Sequence, residues 1–155
     1  MQGTLRGNLQ VTNGVLEGDG AVNGAVTTSG TGTLAPGNSI GTLTVNGVLT
    51  LGGMAVMEFN KSGATLTSDL VNGITALSYG GTLALVANGD PLISGDAFKL
   101  FNAVSYAGAF ATLSLPTLNA GLSWDTTRLL ADGTIAVVAG TTTPRIVRAL
   151  PAPRA

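Results

Sequence analysis

The 155-residue chain contains no cysteine and no histidine. Without cysteine there is no disulfide, no thiolate nucleophile and no Cys-ligated metal, although that absence alone does not fix the compartment. Without histidine the commonest general base and metal ligand is missing. Charge is scarce as well. Charged residues make up 10% of the chain, against roughly 25% in an ordinary soluble domain. The net charge of −1 provides no field to draw in nucleic acid or an anionic membrane. Aromatic residues are 5% of the chain while hydrophobic residues are 45%, so the apolar mass is mainly Val, Leu, Ala and Ile and must pack in small, regular units. The opening Met1-Gln2-Gly3-Thr4-Leu5-Arg6 lacks the basic start and apolar stretch of a signal peptide. An exported form would therefore be a mature fragment, or carry its signal outside this chain. The uncharged stretches from Gly20 to Met57 and from Leu100 to Trp124 are interrupted every few residues by Gly, Thr, Ser or Asn, which excludes a membrane-spanning helix. No aromatic residue precedes Phe59, which argues against the two interfacial girdles of a membrane barrel.

Glycine is abundant: 23 residues spread along the chain, about twice the usual share, which implies many turns. The glycines recur in motifs. Gly-Thr-Leu stands at Gly3, Gly32, Gly41 and Gly81, with a Gly-Thr-Ile variant at Gly133. Asn-Gly stands at Asn13, Asn23, Asn46, Asn72 and Asn88, with Asp132-Gly133 as a variant. Between these turns the pattern has period two. In Thr42-Leu43-Thr44-Val45 the apolar residues share one face and the threonines the other, and Thr82-Leu83-Ala84-Leu85 repeats the pattern. Ala35-Pro36-Gly37-Asn38 suits a type II turn.

Short strands and many turns fit two all-β architectures. In an antiparallel sandwich or meander each Asn-Gly would close a hairpin. In a parallel β-helix, or β-solenoid, the same pairs would be corners, with the asparagines stacked in ladders. The low aromatic content favours the solenoid, whose interior takes ladders of like-sized Val, Leu and Ile. Coils of roughly 20–25 residues would give about six or seven coils and a rod about 30 Å long at ~4.8 Å per coil. The expected division is a solenoid over residues 1–140 and a Pro/Arg-rich tail or linker over 141–155. The chain changes character near Phe59, where rings begin, so the later part is expected to hold wider coils or a cap.

The segment from Gly32 to Gly47, reading GTLAPGNSIGTLTVNG, resembles a signature of autotransporter passenger domains and of related exported proteins associated with PEP-CTERM sorting signals. Gly95-Asp96-Ala97-Phe98-Lys99-Leu100-Phe101, Phe110 to Pro116 and Gly121 to Thr126 are similar to later blocks of the same proteins, in the same order. The resemblance covers roughly Gly3 to Ala139. It implies a right-handed β-helix, export across a Gram-negative envelope and a place outside the cell or at its surface; it implies no activity. The chain carries neither the large translocator barrel of a complete autotransporter nor the Pro-Glu-Pro motif and apolar helix of a PEP-CTERM ending. The route of export and the mode of anchoring do not follow from it.

Candidate chemistry is sparse. Gly37-Asn38-Ser39-Ile40-Gly41 matches the G-x-S-x-G nucleophile elbow, but no histidine exists to serve it, and corner glycines explain it more simply. Glu17-Gly18-Asp19-Gly20 is a single acidic pair, where a calcium-binding β-roll needs tandem repeats, so it reads as a solvent-facing turn. Glu58, Asp69, Asp90, Asp96, Asp125 and Asp132 are far apart in sequence, though stacking of coils can bring acids together as glycan cleavage requires. Asn60-Lys61-Ser62 is a formal glycosylation sequon in a chain of bacterial composition. Tyr79, Tyr106 and Trp124 form a possible glycan-contact platform, beside the plainer reading as core or cap.

These observations favour a structural or adhesive extracellular module without catalysis. The alternative is a carbohydrate-binding or polysaccharide-active β-helix. No cofactor and no metal are expected. The expected partners are a host or matrix glycan or protein and other copies of the chain, end to end. The first coils are almost uncharged, with Arg6, Glu17 and Asp19 the only charges before Glu58, and an edge so lightly guarded invites head-to-tail filaments.

Overall fold

The computed structural model describes residues 2–140; the Pro/Arg-rich tail at 141–155 lies outside the described residues. Among the described residues the chain winds through five coils, each laying one short strand on each of three parallel sheets. The first coil holds β1 (Thr4–Arg6), β2 (Leu9–Val11) and β3 (Val15–Gly18), and the second β4 (Ala21–Asn23), β5 (Val26–Thr28) and β6 (Thr33–Pro36). The third holds β7 (Thr42–Val45), β8 (Val48–Leu51) and a longer β9 (Met54–Ser62), which turns back as β10 (Thr65–Ser68). The fourth holds β11 (Leu70–Ile74), β12 (Ala76–Tyr79) and β13 (Thr82–Gly89). After β14 (Ala97–Lys99) comes the fifth, with β15 (Phe101–Ala103), β16 (Tyr106–Gly108) and β17 (Thr112–Ser114). The chain then forms β18 (Leu122–Asp125), a 3-10 helix (Thr127–Leu130) and β19 (Thr134–Ala139). Sheet A is ordered β1-β4-β7-β11-β15, sheet B β2-β5-β8-β12-β16 and sheet C β3-β6-β9-β13-β17. This is a parallel β-solenoid. The antiparallel alternative survives only locally, in the β9–β10 hairpin and in the small sheet β14-β19-β18.

Period-two patterning builds the core because alternate residues of every strand point inward. On sheet C the paired residues Leu16, Leu34, Ala55, Leu83 and Leu113 form one ladder. On sheet B the ladder is Leu9, Val26, Leu49, Leu77 and Tyr106. Val26, Leu34, Leu49 and Leu83 are wholly buried. Threonines such as Thr27 and Thr50 lie between them on the outer face, as the pattern requires. Thr28 departs from that rule. It is buried in line with Val11 and Leu51, and its Oγ1 accepts the Gly53 N–H at 3.2 Å, so its hydroxyl is satisfied inside.

Five coils stand where six or seven were expected, because the residues after β17 build β18, the 3-10 helix and β19 in place of further coils; the coils also lengthen along the stack. The step between paired residues is 17 from Thr4 to Ala21, 23 from Ala21 to Thr44, 28 from Thr42 to Leu70 and 30 from Val71 to Phe101. The stack from first strand to last is therefore about 20 Å at ~4.8 Å per step, shorter than the expected rod. The side from sheet A to sheet B does not lengthen. Thr4 to Leu9, Ala21 to Val26, Thr44 to Leu49 and Asn72 to Leu77 are all five residues apart. Nearly all the added length leaves the coil where sheet C returns to sheet A.

Two columns of glycine hold the other corners. A Cβ built on Gly47 would strike the Gly24 carbonyl, and one on Gly24 the Gly7 carbonyl. Likewise Gly81 would strike Gly53, Gly53 would strike Gly32, and Gly32 the Val11 carbonyl. Asparagines also stack, but in two separate pairs: Asn46 Nδ2 donates to Asn23 Oδ1 at 2.7 Å, and Asn102 Nδ2 to Asn72 Oδ1 at 2.7 Å. Gly37 takes φ +76°, but Ala35 and Pro36 belong to β6 and Gly37 exchanges backbone hydrogen bonds with Gly18.

At the C-terminal end the interior is closed by the 3-10 helix, which packs against β16 and β19 and buries Leu129. The Tyr79 hydroxyl reaches it, donating to the Leu129 carbonyl at 2.6 Å. The glycine columns lead to a graded expectation in chemical denaturation. Gly14 has φ +89° with nothing within 4 Å of an added Cβ, so Gly14→Ala should cost about 1 kcal/mol through backbone strain. Gly53→Ala meets fixed backbone and should cost roughly 3 kcal/mol or more. Equal losses would show that the corner columns are not tightly stacked.

Candidate functional site

The corner between sheets C and A carries a side lobe, and the irregular chemistry of the molecule gathers there. β9 runs nine residues, passes a turn at Gly63 with φ +61°, and returns as β10 in register, Thr65 opposite Ser62 and Ser68 opposite Phe59. β13 follows β9 outward in parallel for eight paired residues, from Thr82 beside Met54 to Gly89 beside Lys61. β14 packs beside β10, and β19 and β18 extend the lobe through β14. Phe59 is buried at its centre, stacked on Phe98 with ring centroids 4.4 Å apart and met edge-on by Trp124 at 6.0 Å.

A buried ion pair ties the lobe together. Lys61 Nζ lies 2.8 Å from Asp96 Oδ2, with both side chains about one-tenth exposed, and the same oxygen accepts the Ile93 N–H at 2.9 Å. Burial alone would raise the Asp96 pKa, but the Lys61 hydrogen bond and charge and the Ile93 N–H outweigh it and hold the carboxyl below its ordinary value. Removing either partner would strand a buried charge.

Asp69 sits at the root of the lobe and is buried. Its carboxylate accepts the Gly41 N–H at 2.9 Å and the Glu58 N–H at 2.7 Å, and its own N–H donates to the Glu58 carbonyl at 2.8 Å. One side chain thus joins the start of β7, the middle of β9 and the start of the fourth coil. Burial is the main force on its ionisation and pushes the pKa up to about 6; the Glu58 and Asp19 charges add to the rise, and the two N–H donors oppose it. Asp19 lies next to it, accepting the Thr42 N–H at 3.2 Å.

A cavity of about 200 Å³ opens on the lobe, lined by Phe59, Asn88, Asp90, Leu92, Pro116 and Asn119 among others. Asp90 also accepts the Gly63 N–H at 2.8 Å, which pins the hairpin tip. A smaller cavity of about 120 Å³ lies at the C-terminal end of the coil between Tyr79, Phe110, Leu113, Leu129 and Leu130.

Of the three aromatic residues singled out from the sequence, Tyr79 and Tyr106 come together, their rings stacked with centroids 6.3 Å apart, while Trp124 lies apart from them against Phe59. Tyr79 is buried, its ring packs on Phe101 and Phe110, and burial pushes its pKa up, which places it in the core. Tyr106 is half-buried; its hydroxyl donates to the Phe101 carbonyl and accepts the Ala103 N–H, each at 3.0 Å. Trp124 belongs to the other aromatic cluster and donates from Nε1 to the Pro116 carbonyl at 2.9 Å, which shapes the wall of the lobe cavity. The Gly37–Gly41 segment is a corner between β6 and β7 with no helix after it. Asp19 is exposed and bonded to backbone. Asp125 accepts from Thr127, and Asp132 pairs with Arg128. Among the described residues no three acids are placed to hold a metal ion.

The Lys61–Asp96 pair and the Asp69 clip have no local sequence signal, since their partners lie 35, 28 and 11 positions away. The lobe's own local signal is weak: Met54-Ala55-Val56-Met57 is apolar throughout, and only Glu58-Phe59-Asn60 and Thr65-Leu66-Thr67 alternate, on either side of Gly63. No protein-family model, no curated protein and no solved structure matches the chain.

Asp69 gives the fold a pH signature. Its carboxyl titrates near 3.8 in the unfolded chain and near 6 when folded, so the folded state binds the extra proton between those values and stability falls as pH rises from about 4 to about 6. The drop should approach about 3 kcal/mol. Asp96 acts in the opposite sense, adding stability above about pH 4 that is lost as pH falls through its lowered folded value. Urea unfolding across this range should show the decline in the wild type and a flatter profile in Asp69→Asn; an unchanged slope in the variant would assign it elsewhere.

Proposed function

We propose that the chain is a non-catalytic structural or adhesive module of a bacterial surface or secreted protein, in which a narrow solenoid holds a side lobe away from its axis. The observation that carries this reading is the use made of the acids. Asp19, Asp69, Asp90, Asp96, Asp125 and Asp132 each bind a backbone N–H or a neighbouring side chain that fixes a corner, the hairpin tip or a turn. Carboxylates engaged in this way are structural ties, whereas glycan cleavage needs a pair facing a common substrate. Export and surface location rest on the resemblance of the Gly32–Gly47 segment to passenger domains.

A second reading, glycan contact without catalysis, is favoured by the lobe cavity. Asn88, Asp90 and Asn119 offer hydrogen-bonding groups beside the apolar surfaces of Phe59, Leu92 and Pro116, a combination that suits one sugar ring.

Antibodies against the folded chain should label intact bacteria that make it. Labelling that needs prior permeabilisation would overturn the surface reading. Incubation with a polysaccharide panel should release no reducing sugar, and any catalytic release would overturn the non-catalytic one. On a glycan array, retention lost in Asn119→Ala would favour the adhesive form through the cavity.

A further inference from the structure

Resting on the glycan-contact reading of the lobe cavity, we propose that its ligand is one ring of an amino sugar, with the free ammonium group set against Asp90. The cavity arises from a mismatch in strand length. β13 runs to Gly89, but β17 pairs only with Thr82, Leu83 and Ala84. The Thr82 N–H donates to the Gly53 carbonyl and the Asp90 N–H to the Lys61 carbonyl, one near each end of β9. By the alternation of a parallel ladder, the N–H and C=O groups of Ala87 and Gly89 point away from β9, to the side that β17 leaves uncovered. Residues 116–119 line the same cavity as Ala87 and Gly89, yet no backbone hydrogen bond joins them to β13 among the described residues. Main-chain donors and acceptors are therefore left for a ligand.

Side chains at the opening are uncommitted as well. Asn88, Thr117 and Asn119 are exposed, line the cavity and make no side-chain hydrogen bond among the described residues. The coil asparagines Asn13, Asn23, Asn46, Asn72 and Asn102 are all bonded. Polar groups beside apolar surface suit a ring with hydroxyls at its edge and C–H groups on its face. The volume of about 200 Å³ lies below the roughly 300–1,000 Å³ of sites for drug-sized ligands, so it admits a single ring. Charge then narrows the class. Asp90 is the one charged residue on the cavity wall. Its Oδ2 accepts the Gly63 N–H, and among the described residues no Lys or Arg pairs with it; Lys61 is held by Asp96. A carboxylate without a counter-ion attracts an ammonium group and repels an acidic sugar. Because Asp90 is exposed, the preference is modest, about fivefold.

Trp124 is the one tryptophan of the sequence and donates to the Pro116 carbonyl of the cavity wall, so its fluorescence reports occupancy. The full chain is titrated at about pH 6, where an amine of this kind is protonated. The probes are tetramers of glucosamine, N-acetylglucosamine and galacturonate, and a lysine tetrapeptide. The glucosamine tetramer should bind about fivefold more tightly than its N-acetyl form. The galacturonate tetramer should bind most weakly of the sugars, and the peptide should leave the fluorescence unchanged. Asp90→Asn keeps an acceptor for the Gly63 N–H and should bring glucosamine down to the N-acetyl level without changing the latter. If that variant does not fold, salt at about 1 M should level the two in the wild type, since the screening length is then about 3 Å. Equal binding of the two forms in the wild type at low salt, a preference that survives in folded Asp90→Asn, or tightest binding of galacturonate would overturn the proposal and leave the glycan reading standing. Peptide binding as tight as that of glucosamine would show that charge alone is read, and would overturn it too. Binding of no sugar at all would overturn both.

Discussion

Successive coils approach so closely at the corners that the carbonyl oxygen of one occupies the space a Cβ would need in the next. That constraint falls on Gly24 and Gly47 at one corner and on Gly32, Gly53 and Gly81 at another. It fixes where the chain can turn, and hence where each inward side chain lands. Leu16, Leu34 and Leu83 share a ladder because a glycine corner stands just before each strand or one residue away from it. The ladders, the outward threonines and the asparagine pairs all inherit their register from those columns. At the third corner the constraint is relaxed: the chain can leave the stack and return, and the lobe is built from that freedom.

The solenoid was legible in the sequence because its rules are local. Alternation in Thr42-Leu43-Thr44-Val45 sets an inner and an outer face, and Gly-Thr-Leu and Asn-Gly mark the corners between such segments. Coil number was not legible, because nothing local in the sequence marks that the chain leaves the stack after β17 for β18, the 3-10 helix and β19. The compositional change near Phe59 pointed to the start of the wider coils, since the lobe needs rings to fill its thicker core and Phe59 is the ring at its centre. The period-two rule puts Tyr79 on the face of Leu77, which favours the core reading of that residue over glycan contact. The structure puts it inward, where its hydroxyl finds the Leu129 carbonyl 50 residues on.

The charged residues divide along the same line. The Lys61–Asp96 pair and the Asp69 carboxylate are buried in or beside the lobe, while the coils before it hold their few charges at the surface. Regular stacking satisfies its backbone groups through ladder hydrogen bonds and needs no ions. Where β9 turns away and the ladder is broken, side chains must supply the missing acceptors. Asp69 does so for Gly41 and Glu58, Asp90 for Gly63 and Asp96 for Ile93. Asp69, Asp90 and Asp96 therefore mark places where the solenoid departs from its own repeat.

The long pairing of β9 with β13 has a kinetic consequence. Eight matched residues bind the third and fourth coils along one sheet, while β1 and β4 share three. In a stack where each coil touches only its neighbours, order spreads from the most strongly coupled pair. Nucleation is therefore expected between the third and fourth coils, with the first coil joining late. The thinnest coil at the N-terminal end is also the one whose local opening governs hydrogen exchange, so protection of amides should climb from β1 towards β9 as it does along a thread being wound from its centre.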